Sequence, residues 1–109
     1  MTVDIKSAGG FTVAVAPAAG GSTNPFAEGA ARDEIHALMT ELTEALGAAG
    51  HRLTDVVKAV CVLTDDSHRG VFWQAWSELM PTGTHPVRIT HTGPLPAGRR
   101  FQLEFVAAR

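Results

Sequence analysis

The stretch Val56–Leu63 constrains the fold most, because it is a β-branched run with apolar side chains on both faces of a strand. Alternation gives one face Val57, Ala59, Cys61 and Leu63, and the other Val56, Val60 and Val62. Two helices can cover only one face, and a lone domain of this size buries only about 60–68% of its unfolded surface. We therefore expect copies of the chain to associate through the second face, unless the segment 17–29 folds over it.

Periodicity predicts the other elements, in the order β-β-α-β-α-β-β. Alternation and turn signals predict further strands at residues 2–7, 11–16, 87–92 and 100–107. Apolar stripes with helical spacing predict helices at 30–49 and 68–80. Residues 17–29 are rich in Pro, Gly, Ala and Ser, which is typical of a loop. We predict a single α+β domain over residues 1–109, with two helices on one face of a mixed sheet.

Composition excludes several classes of function. The net charge of -2 and the absence of a Lys/Arg cluster argue against a nucleic-acid partner. No apolar run approaches the ~20 residues that span a bilayer, and no basic segment precedes an apolar run as in a signal peptide. The single cysteine, Cys61, excludes an intramolecular disulfide. We expect a cytoplasmic protein with no membrane association.

We also expect neither a metal nor a cofactor. The five histidines are scattered without metal-ligand spacing, and Gly20-Gly21-Ser22 does not match a phosphate loop. Cys61 lies among valines, where a thiol behaves as a small apolar side chain rather than as a nucleophile.

Arg88 is the polar residue that most suggests a site, because it lies inside a predicted strand. If the last two strands are neighbours, Arg88 can face Gln102 or Glu104 across the ladder. One interpretation is a structural arginine–glutamate pair on a solvated face. The other is a guanidinium that binds a ligand carboxylate at a subunit boundary. Trp73 and Trp76 are three residues apart on the second helix; we expect Trp76 in the core and Trp73 at a pocket or interface.

Three stretches resemble the RidA/YjgF family, also labelled endoribonuclease L-PSP. Residues 42–50, followed by 53–58 and 60–65, are similar to the family's helix ending in "EAAG" and its "DVVKxxVFLTD". Pro86-Val87-Arg88 is similar to "PAR". Residues 95–96 and 101–107 are similar to the closing "LP…xExExxA". The resemblance covers roughly residue 10 to the C-terminus.

The resemblance implies a chorismate-mutase-like fold, assembled as a homotrimer with ligand sites in clefts between subunits. In the deaminating branch, the arginine of "PAR", here Arg88, holds the carboxylate of a 2-imino or 2-enamino acid. Water then adds to the imine and releases ammonia and a 2-keto acid. On this resemblance we expect Thr90 to hydrogen-bond the ligand, Gln102 or Glu104 to orient water or Arg88, and Trp73 to line the cleft.

The chain also departs from the family pattern. It contains no tyrosine, so the family's ligand-side phenols have no counterpart. The family's "SGQ" falls near Ala16, a predicted substrate contact that lacks the serine hydroxyl. The asparagine and tyrosine on the second helix align best with Trp73 and Trp76.

The first glutamate of "ExE" corresponds to Gln102, whose amide cannot act as a general base at neutral pH. Two hypotheses therefore stay open: a trimeric imine or enamine deaminase, and a non-catalytic trimer that binds a carboxylate ligand or a partner. Ribonuclease activity is disfavoured, because a net charge of -2 provides no patch for a phosphate backbone.

Overall fold

The computed structural model describes residues 3–18 and 24–108. The elements in chain order are β1 (Asp4–Ala8), β2 (Phe11–Ala16), α1 (Ala31–Ala48), β3 (Val56–Leu63), α2 (Arg69–Leu79), β4 (Val87–Thr92) and β5 (Phe101–Ala108). The predicted order β-β-α-β-α-β-β is confirmed. The bounds of β2, β3 and β4 agree with the predictions, whereas the two other strands and both helices shift by one or two residues at their ends. Of the strand predicted at 2–7, residue 2 lies outside the described residues.

The sheet is mixed and has the strand order β1-β2-β5-β3-β4. Among the strands of the described residues, only β3 and β4 pair in parallel, because α2 crosses over between them and returns the chain in the same direction. The last strand, β5, lies between β2 and β3 and is antiparallel to both. The final two strands of the sequence, β4 and β5, are therefore not neighbours.

The core lies between one face of this sheet and both helices. The apolar stripe predicted for α1 is fully buried: Ile35, Leu38, Met39, Leu42 and Leu46. It packs with the buried side chains of β5, which are Phe101, Leu103, Phe105 and Ala107. Burial of each large apolar side chain contributes about 1.5–3 kcal/mol relative to exposure, so this layer is the main source of stability.

A β-bulge at the start of β3 changes which of its side chains lie on each face of the sheet, compared with the prediction. The register with β5 slips between Val56 and Lys58, so one extra residue is accommodated and the alternation resets. Val56 consequently joins Ala59 on the buried face, while Val57 is 45% exposed. The prediction that Val57 shares the face of Ala59 and that Val56 lies opposite was wrong.

The other face of the sheet, here called the open face, is apolar and uncovered by either helix. Val13 and Ile89 on this face are 39% and 46% exposed, and Val60 is paired beside Ile89. The alternative that the 17–29 segment folds over this face is not seen for its described part. There Arg100 Nη1 donates to Phe26 O, which holds the segment beside the N-terminal end of α1.

Candidate functional site

Arg88 projects from the edge strand β4 toward α2, on the helix-covered side of the sheet. Its position follows from the register, because Arg88 pairs beside the buried Ala59. The guanidinium carbon lies 4.4 Å from the ring centroid of Trp73 and 5.6 Å from that of Trp76. Cation–π attraction at these distances orients the guanidinium and leaves its N–H groups available for hydrogen bonds.

The two tryptophans are held by an aromatic cluster on α2. A spacing of three residues puts Trp73 and Trp76 on one side of the helix, with ring centroids 6.0 Å apart. Trp73 meets Phe72 edge-on at 5.0 Å, and Trp76 meets Phe105 of β5 edge-on at 6.1 Å. Trp76 is buried and Trp73 is half-buried, as the sequence predicts. The rings form a rigid support for Arg88.

A cleft of about 480 Å³ opens beside Arg88, between the C-terminal end of α2 and the loop 81–86. The loop turns where Thr84 N–H donates to Pro81 O, with Gly83 at a φ of +85° that favours glycine. Trp76, Met80 and Arg88 contribute to the lining, so an apolar wall adjoins a cation. This size and composition suit a small organic anion.

Thr84 is a lining residue that sequence reasoning missed. Its hydroxyl is buried and has no hydrogen-bond partner among the described residues. A buried unpaired hydroxyl is costly, and a ligand in the cleft could satisfy it. No local pattern marks Thr84 in the sequence, since the loop 81–86 is recognisable only as a helix stop.

Of the residues predicted for the site, Arg88, Thr90 and Trp73 are brought together. Thr90 is half-buried, follows Arg88 by two positions on the same side of β4, and lines the narrow space under Trp73. Ala16 lies apart from them: it is fully buried at the end of β2, paired with Leu103, with β5 and β3 between its strand and β4.

Gln102 and Glu104 lie on the opposite side of the sheet from Arg88. Glu104 pairs with Val60 on the open face, whereas Arg88 pairs beside Ala59 on the helix-covered face. The ladder contact of Arg88 with Glu104 or Gln102 was predicted on the condition that the last two strands are neighbours. That condition is not met within one chain, because β3 separates the two strands. Both residues are half-buried among the open-face side chains.

The structure also bears on the other candidate chemistries. Cys61 is buried, and burial raises the pKa of its thiol to about 12, so at neutral pH it is protonated and a poor nucleophile. Within residues 3–18 and 24–108, no three His, Cys, Asp or Glu side chains are grouped as metal ligands. Nor does any helix in these ranges have the length and apolarity needed to cross a membrane.

Comparison with known proteins identifies the fold. No family model and no curated protein sequence matches the chain. Among solved structures, a candidate translation initiation inhibitor from Salmonella typhimurium has a TM-score of 0.84 at 18% identity, over 98% of this chain and 89% of that one. A candidate endoribonuclease L-PSP from Entamoeba histolytica has a TM-score of 0.81 at 23% identity, over 96% and 85% of the two chains.

A YjgF-family protein from Neisseria meningitidis is also similar, with a TM-score of 0.77 at 19% identity, over 94% of this chain and 82% of that one. At such low identities, the agreement concerns the path of the backbone and not the side chains of the site. It agrees with the resemblance found in the sequence motifs. The chain therefore has the fold of the YjgF and endoribonuclease L-PSP proteins.

Proposed function

We propose that the chain is a divergent Rid-type protein that binds a small 2-imino or 2-enamino acid through Arg88 and hydrolyses its C=N bond. The observation that carries this proposal is the guanidinium of Arg88, stacked on Trp73 at the edge of a cleft. Among the described residues, no carboxylate forms an ion pair with Arg88. The guanidinium is thus free to bind a ligand carboxylate through two parallel hydrogen bonds.

Hydrolysis of such a ligand needs little beyond orientation and water. The oxygen of water bonds to the imine carbon as the C=N double bond opens, and one water proton moves to the nitrogen. The hydroxyl of the tetrahedral adduct then gives up its proton, the nitrogen takes up a second proton, and the C=O bond forms. The C–N bond breaks, ammonia leaves and a 2-keto acid remains. With the carboxylate on Arg88 and the chain of the ligand against Trp76, the imine carbon is fixed for attack. Thr84 supplies a hydroxyl group in this cleft, and Thr90 supplies one in the narrow space under Trp73 beside Arg88.

The proposed site is completed by a second copy of the chain. Gln102 and Glu104 lie on the open face, so they can orient water at a ligand held by Arg88 only from another subunit. The exposed apolar side chains of that face support association, since a monomer seldom leaves such a surface in water. We propose a homotrimer with ligand clefts between its subunits, as the sequence resemblance implies.

The direct test is keto-acid formation from 2-iminobutyrate or 2-aminoacrylate generated in situ. We expect the wild-type protein to accelerate it and Arg88→Ala to reduce kcat/KM about 10- to 100-fold, because a charge-assisted bond contributes roughly 1.5–3 kcal/mol. Arg69→Ala is the matched control, as Arg69 pairs with the exposed Asp66 outside the cleft. Equal activity of wild type and Arg88→Ala would refute the assignment of Arg88.

A non-catalytic carboxylate-binding trimer is the second candidate, favoured by one observation. The position that the resemblance assigns to the first glutamate is Gln102, which can orient water but cannot accept its proton at neutral pH. Calorimetric titration with a 2-keto acid separates the two functions. Binding that Arg88→Ala abolishes, with no acceleration of imine hydrolysis by wild type, would identify a binding protein.

Placing one carboxylate on the open face tests whether the chains associate through it. Ile89→Glu should convert the trimer to monomers in light scattering, because burying three unpaired carboxylates at an interface costs several kcal/mol each. Thr40→Glu, on the exposed side of α1, should leave the mass at that of three chains. A monomeric wild-type protein would overturn the assembly.

A further inference from the structure

A chain of hydrogen-bonding groups lies at the far edge of the sheet from Arg88, under the β1–β2 hairpin. Ser7 Oγ and Thr12 Oγ1 are 2.7 Å apart, and Thr12 Oγ1 is 2.7 Å from His51 Nε2. On the other side of the ring, His51 Nδ1 is 3.7 Å from Asp55 Oδ2. We propose that this hydroxyl–imidazole–carboxylate series is a second catalytic site, in which Ser7 is an acyl-accepting nucleophile.

The carboxylate of Asp55 favours the His51 tautomer that carries its proton on Nδ1. His51 is 7% exposed, and among the described residues its Nδ1 has no hydrogen-bond partner, with Asp55 Oδ2 its ion-pair neighbour. A proton on Nδ1 faces the carboxylate, which leaves Nε2 as an acceptor for the Thr12 hydroxyl. Thr12 then accepts from Ser7. The distance of 3.7 Å is long for a hydrogen bond, and such contacts commonly shorten when substrate binds.

Burial assigns the roles of the two hydroxyl groups. Thr12 is 1% exposed, so it can pass a proton but cannot reach a substrate. Ser7 is exposed and borders a cleft of about 300 Å³ whose other lining residues include Gly9, Gly10 and Phe11. Gly9 and Gly10 have positive φ values in the hairpin turn and place no side chain in the cleft, and Phe11 is 52% exposed beside it. A carboxylic ester with a short acyl group fits this chemistry.

In the proposed reaction, protons move along a relay formed by Ser7, Thr12 and His51. Ser7 Oγ bonds to the ester carbonyl carbon as the C=O double bond opens onto its oxygen, while the proton of Ser7 moves to Thr12 and the proton of Thr12 moves to His51 Nε2. Asp55 stabilises the imidazolium that forms. The C–O bond to the alcohol breaks, and the alcohol takes the proton back from His51 through the same relay. Water then bonds to the acyl carbon while its proton moves to His51. The bond to Ser7 Oγ breaks, Ser7 regains a proton through the relay, and the carboxylic acid is released.

The experiment uses a fluorophosphonate probe and intact-protein mass spectrometry on the full chain. Ser7 should displace fluoride and form one phosphonyl adduct, which peptide mapping places on Ser7. Ser7→Ala should abolish it, and His51→Gln should slow it at least about 100-fold, since a positioned base contributes about 10²–10⁴. Ser67→Ala, at an exposed serine outside this hydrogen-bonded series, should react like wild type.

Asp55→Asn is the variant that guards against misfolding, because it alters a partly exposed residue and leaves the buried hydroxyls in place. It should slow adduct formation while thermal unfolding stays close to that of wild type. No adduct on wild type, or an adduct formed by His51→Gln at the wild-type rate, would overturn the proposal. In either case the hydrogen bonds would only join the hairpin to the residues that follow α1.

Discussion

Glu34→Ala is expected to lower the free energy of unfolding by about 3–5 kcal/mol, the cost of removing one partner from a buried ion pair. Glu34 is 1% exposed in the first turn of α1. Its Oε2 accepts from the backbone N–H of Arg100 at 2.8 Å and of Phe101 at 3.2 Å. Its Oε1 accepts from Arg100 Nη1 at 2.9 Å and from Asn24 Nδ2 at 3.3 Å. Alanine leaves these donors without their acceptor.

Urea unfolding followed by circular dichroism measures this loss. Glu34→Gln should cost less than alanine, about 1–3 kcal/mol, because the amide keeps one acceptor oxygen but turns N–H groups toward Arg100. Glu44→Ala, at an exposed position of the same helix, should stay within about 0.5 kcal/mol of wild type. A loss below about 1 kcal/mol for Glu34→Ala would show that water replaces the carboxylate at this junction.

Mixing two inactive variants is expected to restore activity, if the proposed site joins two subunits. Arg88→Ala and Glu104→Ala should each lose most imine hydrolysis. After the two are unfolded and refolded together, about one site in four combines an intact Arg88 with an intact Glu104, so about a quarter of wild-type activity should return. The physical reason is that these residues lie on opposite faces of the sheet in one chain.

The control mixes Arg88→Ala with the double variant Arg88→Ala/Glu104→Ala. Neither protein in this mixture has an intact Arg88, so no activity should return. Native mass spectrometry confirms that mixed oligomers form. Mixed oligomers without recovered activity would exclude a shared site, whereas an active Glu104→Ala variant alone would remove Glu104 from the mechanism.

The amino-acid sequence by itself determined which segments form strands and helices. Val56–Leu63, Phe11–Ala16 and Val87–Thr92 were each bounded correctly, because a period of two and turn residues are local signals. The motifs at residues 42–65, 86–88 and 95–107 pointed to the fold for a similar reason, since short contiguous stretches carried the resemblance. Even here, the bulge at Val57 escaped prediction, because it depends on pairing with β5.

Only the tertiary structure decided which side chains meet. The order β1-β2-β5-β3-β4 put Arg88 against Trp73 and moved Glu104 to the other face. Glu34 and Arg100 are 66 residues apart in the chain, and Thr12 and His51 are 39 apart. Contacts at such separations depend on strand order and packing, which local periodicity does not encode. The strands and helices could therefore be predicted from the sequence, whereas the residues that meet in each site could be identified only from the tertiary structure.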